Sequence, residues 1–208
     1  YGIYLNVVIH NHGKYSAFSD KEWLDNPMNA ALGGYLDNPD LFFTDTRAHR
    51  DFLNLMRYTV ARWGYSTRIF AWQLWSELNL AGEKRGAYQR QEVVDWHALM
   101  ARTIKDMDPN DHLVASHVSS DYSVQNTNIV ALPDMDHACV DSYYSGTDAL
   151  QIVDLLRRTA EFNNPFGKPV LVTEFGGAWD AQGVTHLENC LHAGLWASMC
   201  TPVAGTPM

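Results

Sequence analysis

The chain has 208 residues, of which 46% are hydrophobic and 19% are charged, so it holds enough apolar side chain for a folded core and is not of the disordered class. Its formal charge of −9 disfavours nucleic-acid binding, because attraction to phosphate needs a basic surface. No run of about 18 uncharged apolar residues is present, so the sequence predicts no membrane-spanning helix.

Short apolar runs alternate along the chain with segments whose apolar residues recur at helical spacing. The first run is followed by a long segment, 13–45, whose proline and glycine residues predict irregular structure. The predicted strands cover 4–9, 69–75, 112–115, 138–142 and 169–173, and a sixth is predicted to open within 203–208. The predicted helices cover 45–64, 93–108, 149–162 and 186–199.

This alternation predicts parallel strands joined by crossover helices in one domain over 1–208. The candidate architectures are a doubly wound sheet and a (β/α)8 barrel. The first strand is followed by His-Asn-His-Gly-Lys-Tyr and not by a glycine-rich turn, which disfavours the doubly wound sheet. Polar side chains follow nearly every predicted strand, namely His10, Asn11, His12, Ser76, Glu77, Ser116, His117, Asp141, Tyr143, Tyr144 and Glu174. Because barrels build their active sites where strand ends converge, this pattern favours an α/β fold of the (β/α)8 TIM-barrel type.

Two of these strand-end residues are glutamates, Glu77 and Glu174. A carboxylate at the end of an apolar strand is costly unless it is paired or functional. Two carboxylates facing each other across a barrel are the arrangement that cleaves a glycosidic bond by double displacement, which needs no metal or other cofactor. Each negative charge also raises the proton affinity of the other, which keeps the acid protonated.

The segments around these glutamates resemble a known family. AWQLWSELN, which contains Glu77, resembles the fourth-strand acid/base motif of glycoside hydrolase clan A, the family-5 cellulase- and mannanase-like barrels. KPVLVTEFGG, which contains Glu174, resembles the seventh-strand nucleophile motif of that clan. YGIYLNVVIHNHG resembles its third strand and HACVDSYY resembles its sixth.

The resemblance implies a retaining glycosidase that acts on β-linked oligosaccharides or polysaccharides. It assigns Glu77 as the acid/base and Glu174 as the nucleophile, with Tyr143 or Tyr144 as the hydrogen-bond partner of the nucleophile. The candidate substrate-binding residues are His10, Asn11, His12, Ser76, His117, Asp141, Tyr143, Tyr144 and Trp179.

The chain departs from the clan pattern at two positions and in its extent. Ser76 stands where the clan has an asparagine that binds the sugar 2-hydroxyl, and Asp141 stands where many members have histidine. If the first strand here is the clan's third, about six β/α units are present where a barrel has eight. The expectation is therefore an incomplete barrel that lacks the first two strands and the end of the eighth. Either the chain is a segment of a larger barrel, or it is a shortened barrel whose exposed edges are covered by self-association.

Two other functions remain open. Ser76 and the short chain favour a carbohydrate-binding barrel without turnover. The His10-x-His12 pair, with His117 and Asp141, is also similar to the ligand set of metal-dependent amidohydrolases, although that alternative leaves Glu174 unexplained. By analogy with polysaccharide-degrading enzymes, a secreted or periplasmic location is favoured, with no nucleic-acid or membrane partner.

Overall fold

The computed structural model describes residues 2–146, 148–177 and 183–204. The chain divides into two compact units, the first made of Tyr1–Ser116 and Asn126–Met135 and the second of His117–Gln125 and Asp136–Met208. Each unit is described by itself, and the organisation of 1–208 as one domain stays a prediction. Within the described ranges, no helix is both long enough and apolar enough to cross a membrane.

The first unit contains three parallel strands in spatial order β1-β2-β3. The strands are β1 (Leu5–Asn11), β2 (Ile69–Ser76) and β3 (Leu113–Ala115), and the helices are α1 (Thr46–Trp63), α2 (Gln91–Met107) and the short α3 (Thr127–Val130). Asp45 caps α1, because its carboxylate accepts hydrogen bonds from the amides of Arg47 and Ala48. The predicted end of α1 at Gly64 is confirmed as well.

An aromatic core fills the first unit. The segment predicted as irregular forms four short 3-10 helices between β1 and α1, and the last of these buries Phe42 and Phe43. Phe42 packs edge-on against Trp75 of β2 and also contacts Trp96 of α2. These rings anchor the loop over the C-terminal ends of β1 and β2, where the candidate catalytic residues lie.

The second unit contains three further parallel strands in the order β4-β5-β6. The strands are β4 (His117–Val118), β5 (Ala138–Tyr143) and β6 (Val170–Gly176), and the helices are α4 (Gln151–Asn163) and α5 (Val184–Cys200). Its core is formed by Ile152 and Leu156 of α4, Val172 of β6 and Ala197 of α5. The helices therefore pack on the sheet whose strand β5 ends at Tyr143 and whose strand β6 contains Glu174.

Several predicted strands differ from the structure. The first strand runs to Asn11 and not to residue 9, and β6 runs to Gly176 and not to residue 173, so His10, Asn11 and Glu174 lie within strands and not after them. The strand predicted at 112–115 begins one residue later, at Leu113, and the chain continues after Ser116 as a separate strand, β4, of the second sheet. In the segment 203–208, Val203 and Ala204 are not in a strand, although the Ala204 amide donates to the carbonyl of Val170 at 2.7 Å. The remaining residues, 205–208, lie outside the described residues.

Candidate active site

The pairing of β1 with β2 places His12 beside Glu77. Asn11 pairs with Ser76 at the end of the two strands, and the His12 amide then donates to the Ser76 carbonyl at 3.1 Å. At this position His12 Nδ1 lies 2.8 Å from Glu77 Oε2. The two residues meet because each is the first residue after its strand.

The backbone of Glu77 is left-handed, with φ of 54° and ψ of 45°. This conformation is uncommon for residues other than glycine and asparagine, and it costs on the order of 1 kcal/mol or more. It ends β2 abruptly and starts the 3-10 helix Leu78–Leu80. The turn directs the Glu77 carboxylate toward the His12 side chain, where about a third of it remains exposed (30%).

His12 lies between two carboxylates. Its Nε2 is 2.5 Å from Asp20 Oδ2, on the side of the ring opposite to Glu77. Burial on its own would lower the pKa of His12, but the hydrogen bonds and charges of Glu77 and Asp20 outweigh it and raise that pKa above its usual value. The two carboxylates therefore stabilise the protonated form of the His12 ring relative to its neutral form.

The loop that carries Asp20 is fixed by a buried serine. The Ser16 hydroxyl accepts hydrogen bonds from the amides of Phe18 and Ser19, at 3.4 Å and 2.9 Å. Ala17 then donates to the carbonyl of Gly82, in the segment that follows Glu77. These bonds bring Asp20 next to His12.

The other predicted binding residues of the first unit are placed differently. The ring of His10 is enclosed by the rings of Tyr15, Phe42, Phe52 and Trp75, with centroid separations of 5.0–5.5 Å. Burial, with a smaller effect from the Lys14 charge, lowers the pKa of His10 to about 4. Asn11 is exposed and Ser76 is half-buried. His10 thus belongs to the aromatic core, and Asn11 and Ser76 lie at the strand ends next to Glu77.

In the second unit, β6 contains a bulge next to the candidate nucleophile. Val140 of β5 pairs with Val172, but Ser142 pairs with Phe175, so two residues of β6 face one residue of β5. One of these two residues is Glu174. A bulge changes the direction of a side chain near the end of a strand, and here the Glu174 carboxylate is exposed and accepts a hydrogen bond from the Tyr143 hydroxyl at 2.6 Å.

The second tyrosine has a different partner. The Tyr144 hydroxyl lies 2.9 Å from Cys190 Sγ on α5, and Cys190 Sγ lies 3.3 Å from His186 Nε2. Burial, followed by the interaction with Cys190, raises the pKa of Tyr144. Of the two candidates, Tyr143 is therefore the residue that donates to Glu174.

A buried polar pair lies beneath Glu174. His117 Nε2 is 2.8 Å from Asp141 Oδ1, and both side chains are almost fully buried. The same Asp141 oxygen accepts a hydrogen bond from the Thr173 hydroxyl at 3.0 Å. Because Thr173 precedes Glu174, its hydrogen bond to Asp141 connects the His117–Asp141 pair to the bulge of β6. Asp141 therefore contacts the strand that carries the nucleophile candidate, and His117 contacts Asp141.

A cavity of about 190 Å³ adjoins Glu174. Its lining residues are Tyr143, Thr173, Glu174, Phe175, Leu187, Cys190 and Leu191. Trp179, predicted to bind sugar, lies outside the described residues. Across the part of the chain that the structure describes, histidine, cysteine, aspartate and glutamate side chains form no group of three or more that could hold a metal ion.

Three residues of the site were not predicted from the sequence. Asp20 reaches His12 through a loop whose closure depends on Ser16, and no sequence pattern pairs the two. Thr173 precedes Glu174 in the chain. Cys190 contacts the Tyr144 hydroxyl. For Thr173 the only signal was its position next to Glu174.

The fold of each unit agrees with that of known (β/α)8-barrel proteins. Each unit has parallel strands connected through helices, with polar side chains after the strands, and known (β/α)8-barrel glycoside hydrolases share this fold. The predicted fold class is confirmed to that extent, while the number of strands in the barrel stays a prediction. No protein-family model matches the chain.

Mannanases and a mannosidase are among the proteins to which the chain is similar. Over 93 residues the chain is 29% identical to mannan endo-1,4-beta-mannosidase A of Hypocrea jecorina. The matched segment covers 44% of this chain and 20% of that protein. The endo-beta-1,4-mannanase of Thermotoga petrophila superimposes on 97% of this chain and 48% of its own with a TM-score of 0.67 and 17% identity. A family 5 mannosidase from Rhizomucor miehei superimposes on 94% of this chain and 55% of its own with a TM-score of 0.61 and 14% identity.

These comparisons confirm the resemblance to clan A barrels of the mannanase type. The chain spans one fifth of the curated relative and about half of the two solved structures. The likeness to the structures, at these identities, establishes the fold.

Proposed function

We propose that this chain carries the catalytic glutamates of a retaining β-glycosidase. The observation that carries the proposal is that Glu77 and Glu174, the two strand-end glutamates, each contact a proton-donating strand-end partner. Glu77 contacts the His12 ring, and Glu174 accepts a hydrogen bond from Tyr143. Strand-end carboxylates held by donors are the groups that double displacement uses.

In the proposed reaction, Glu174 attacks the anomeric carbon while Glu77 protonates the departing glycosidic oxygen. The bond to the leaving alcohol breaks and a covalent glycosyl ester forms on Glu174. Glu77, now a carboxylate, removes a proton from water, and the water oxygen displaces Glu174 from the anomeric carbon. Two inversions give a product with the configuration of the substrate.

The substrate proposed for the first test is a β-1,4-linked mannan. This choice rests on the similarity to the Hypocrea jecorina mannan endo-1,4-beta-mannosidase. The exposed position of Glu174 and the cavity beside it leave room for a sugar at the nucleophile.

Azide rescue assigns the two roles separately. On an aryl β-mannoside with a good leaving group, Glu174→Ala and Glu77→Ala should each lower turnover by at least about 10²–10⁴-fold. With azide, Glu174→Ala should form the α-mannosyl azide, because azide replaces the nucleophile. Glu77→Ala should form the β-mannosyl azide, because azide attacks the intact glycosyl-enzyme.

Two exposed glutamates provide matched controls. Glu83 and Glu188 are exposed, and their alanine variants should keep the parent rate. The proposal fails if either candidate variant keeps full rate, or if the product of the parent enzyme has the inverted configuration.

Ser76 favours a second candidate, a barrel that binds oligosaccharide without cleaving it. A serine cannot reach as far as the asparagine that it replaces, and the contact to a sugar hydroxyl would be lost. In that case mannohexaose would bind in calorimetry with no turnover, and Ser76→Asn would raise affinity. The metal-dependent alternative predicts loss of activity with EDTA and its recovery with Zn²⁺.

A further inference from the structure

The sequence motif around Glu77 does not account for Asp20. This aspartate lies in the loop between β1 and α1, its side chain is 63% exposed, and its Oδ2 contacts His12 Nε2 at 2.5 Å. The two carboxylates therefore lie at opposite nitrogens of one ring, since His12 Nδ1 is 2.8 Å from Glu77 Oε2 in an ion-pair contact.

We propose that Asp20 is a positioning residue that acts through His12 on the proton of Glu77. By accepting from Nε2–H, Asp20 fixes the ring so that Nδ1 faces the Glu77 carboxylate and exchanges a proton with it. This inference rests on the proposed role of Glu77 as the acid/base and adds two residues to that role.

The proton balance follows from the two ring nitrogens. The proposed step begins with the one exchangeable proton of the His12–Glu77 pair on His12 Nδ1. The Nδ1 proton moves to Glu77 Oε2 and from there to the departing glycosidic oxygen, which leaves His12 neutral with its proton on Nε2. When Glu77 deprotonates the attacking water, that proton returns to Nδ1. No net proton is gained or lost in one turnover.

The charges around His12 support this sequence of steps. The raised pKa of His12 has Glu77 and Asp20 as its charged causes. Two further charged residues stand on the neighbouring 3-10 helices, Lys14 and Glu22, and the Glu22 carboxylate lies against Gly13. Asp20 is the one of these aspartate and glutamate neighbours that binds the far nitrogen of the ring.

The test removes the Asp20 charge and keeps its backbone. Asp20 has a φ of 55°, which asparagine and glycine adopt readily, so Asp20→Asn and Asp20→Gly both remove the carboxylate without straining the loop. Each variant should shift the basic limb of the kcat/KM profile to lower pH by about 0.5–1 unit, because the pair then binds its proton less tightly. Asp25→Asn, an exposed aspartate of the same loop, is the matched control and should leave the limb unchanged.

A second readout does not depend on activity. NMR titration of the His12 ring, identified by the signal missing in His12→Gln, should show its pKa falling in both Asp20 variants and not in Asp25→Asn. An unchanged His12 titration overturns the inference, as does a basic limb that stays in place while activity falls equally at every pH. If the titration shifts but the parent enzyme cleaves no glycoside, the link between Asp20 and His12 stands and the proposed function fails.

Discussion

Removal of the Tyr143 hydroxyl provides a measurable test of the second half of the site. The phenol donates to Glu174 Oε2 at 2.6 Å, which is a charge-assisted hydrogen bond when Glu174 is ionised. Tyr143→Phe deletes this donor and keeps the ring. The bond matters most in the second step, when Glu174 leaves the sugar as a carboxylate and its new charge is stabilised by the phenol.

The magnitude follows from the exposure of the pair. A hydrogen bond to a charged group contributes about 1.5–3 kcal/mol, and the exposed position of Glu174 places this bond at the lower end, because water competes for the carboxylate. A loss of about 1.5 kcal/mol corresponds to a rate reduction of about tenfold. The reduction should be in kcat where cleavage of the glycosyl ester limits turnover, since the bond stabilises the charge that returns to Glu174 in that step.

The assay is steady-state hydrolysis of an aryl β-mannoside by the parent and by Tyr143→Phe. The matched control is Tyr58→Phe, a tyrosine exposed on α1, which should keep the parent kcat. A Tyr143→Phe enzyme with kcat within about twofold of the parent would refute the reasoning, because the hydroxyl would then contribute nothing to the charge on Glu174.

Three further predictions concern stability and assembly. Burial lowers the pKa of His10 and of His97 to about 4, below the unfolded value of about 6.5. As the pH falls, these two histidines therefore bind protons in the unfolded chain before they do so in the folded chain. The free energy of unfolding should then fall as pH drops from about 6.5 to 4, by up to about 1.4 kcal/mol per pH unit for each histidine, and His10→Phe should flatten this slope in urea titrations. Asp108 accepts hydrogen bonds from Trp72 Nε1 at 2.7 Å and from His112 Nδ1 at 2.8 Å. Asp108→Ala should therefore lower the free energy of unfolding by about 2–4 kcal/mol in the same experiment. The exposed control Asp106→Ala should lower it by less than about 0.5 kcal/mol. Val8 is 47% exposed on the edge strand β1. Sedimentation equilibrium should therefore show self-association of the chain, and Val8→Lys should weaken it. A chain that stays monomeric at all concentrations would contradict this prediction.

The apolar runs of the sequence predicted the position of Glu77, which directly follows β2. They did not predict the end of β6, which continues to Gly176, so that Glu174 lies within the strand. They could not separate Tyr143 from Tyr144, because the choice depends on the bulge of β6, and a bulge adds a residue without a distinctive sequence. Only the pairing of β5 with β6 shows which hydroxyl reaches Glu174.

His10 and His12 show a second limit of sequence patterns. Residues two apart on a strand point to the same face, so the sequence assigned both histidines to one pocket. The chain leaves the strand at Asn11, however, and His12 adopts helical angles, with φ of −62° and ψ of −38°. His10 therefore stays among the aromatic rings, while His12 turns to Glu77. A change in backbone conformation of this kind at one residue has no signature in hydrophobic periodicity.

The partners of the two glutamates support the proposed roles independently of the sequence motifs. An acid/base must gain and lose a proton in each turnover, and an imidazole beside two carboxylates can supply and recover that proton near neutral pH. A nucleophile must stay ionised, and a phenol hydroxyl donates to it without giving up its own proton at that pH. His12 contacts Glu77 and Tyr143 contacts Glu174, so the chemistry of the partners favours the proposed roles, with Glu77 as the acid/base and Glu174 as the nucleophile. If the azide products were exchanged between Glu77→Ala and Glu174→Ala, this argument from the partners would be wrong together with the motif assignment.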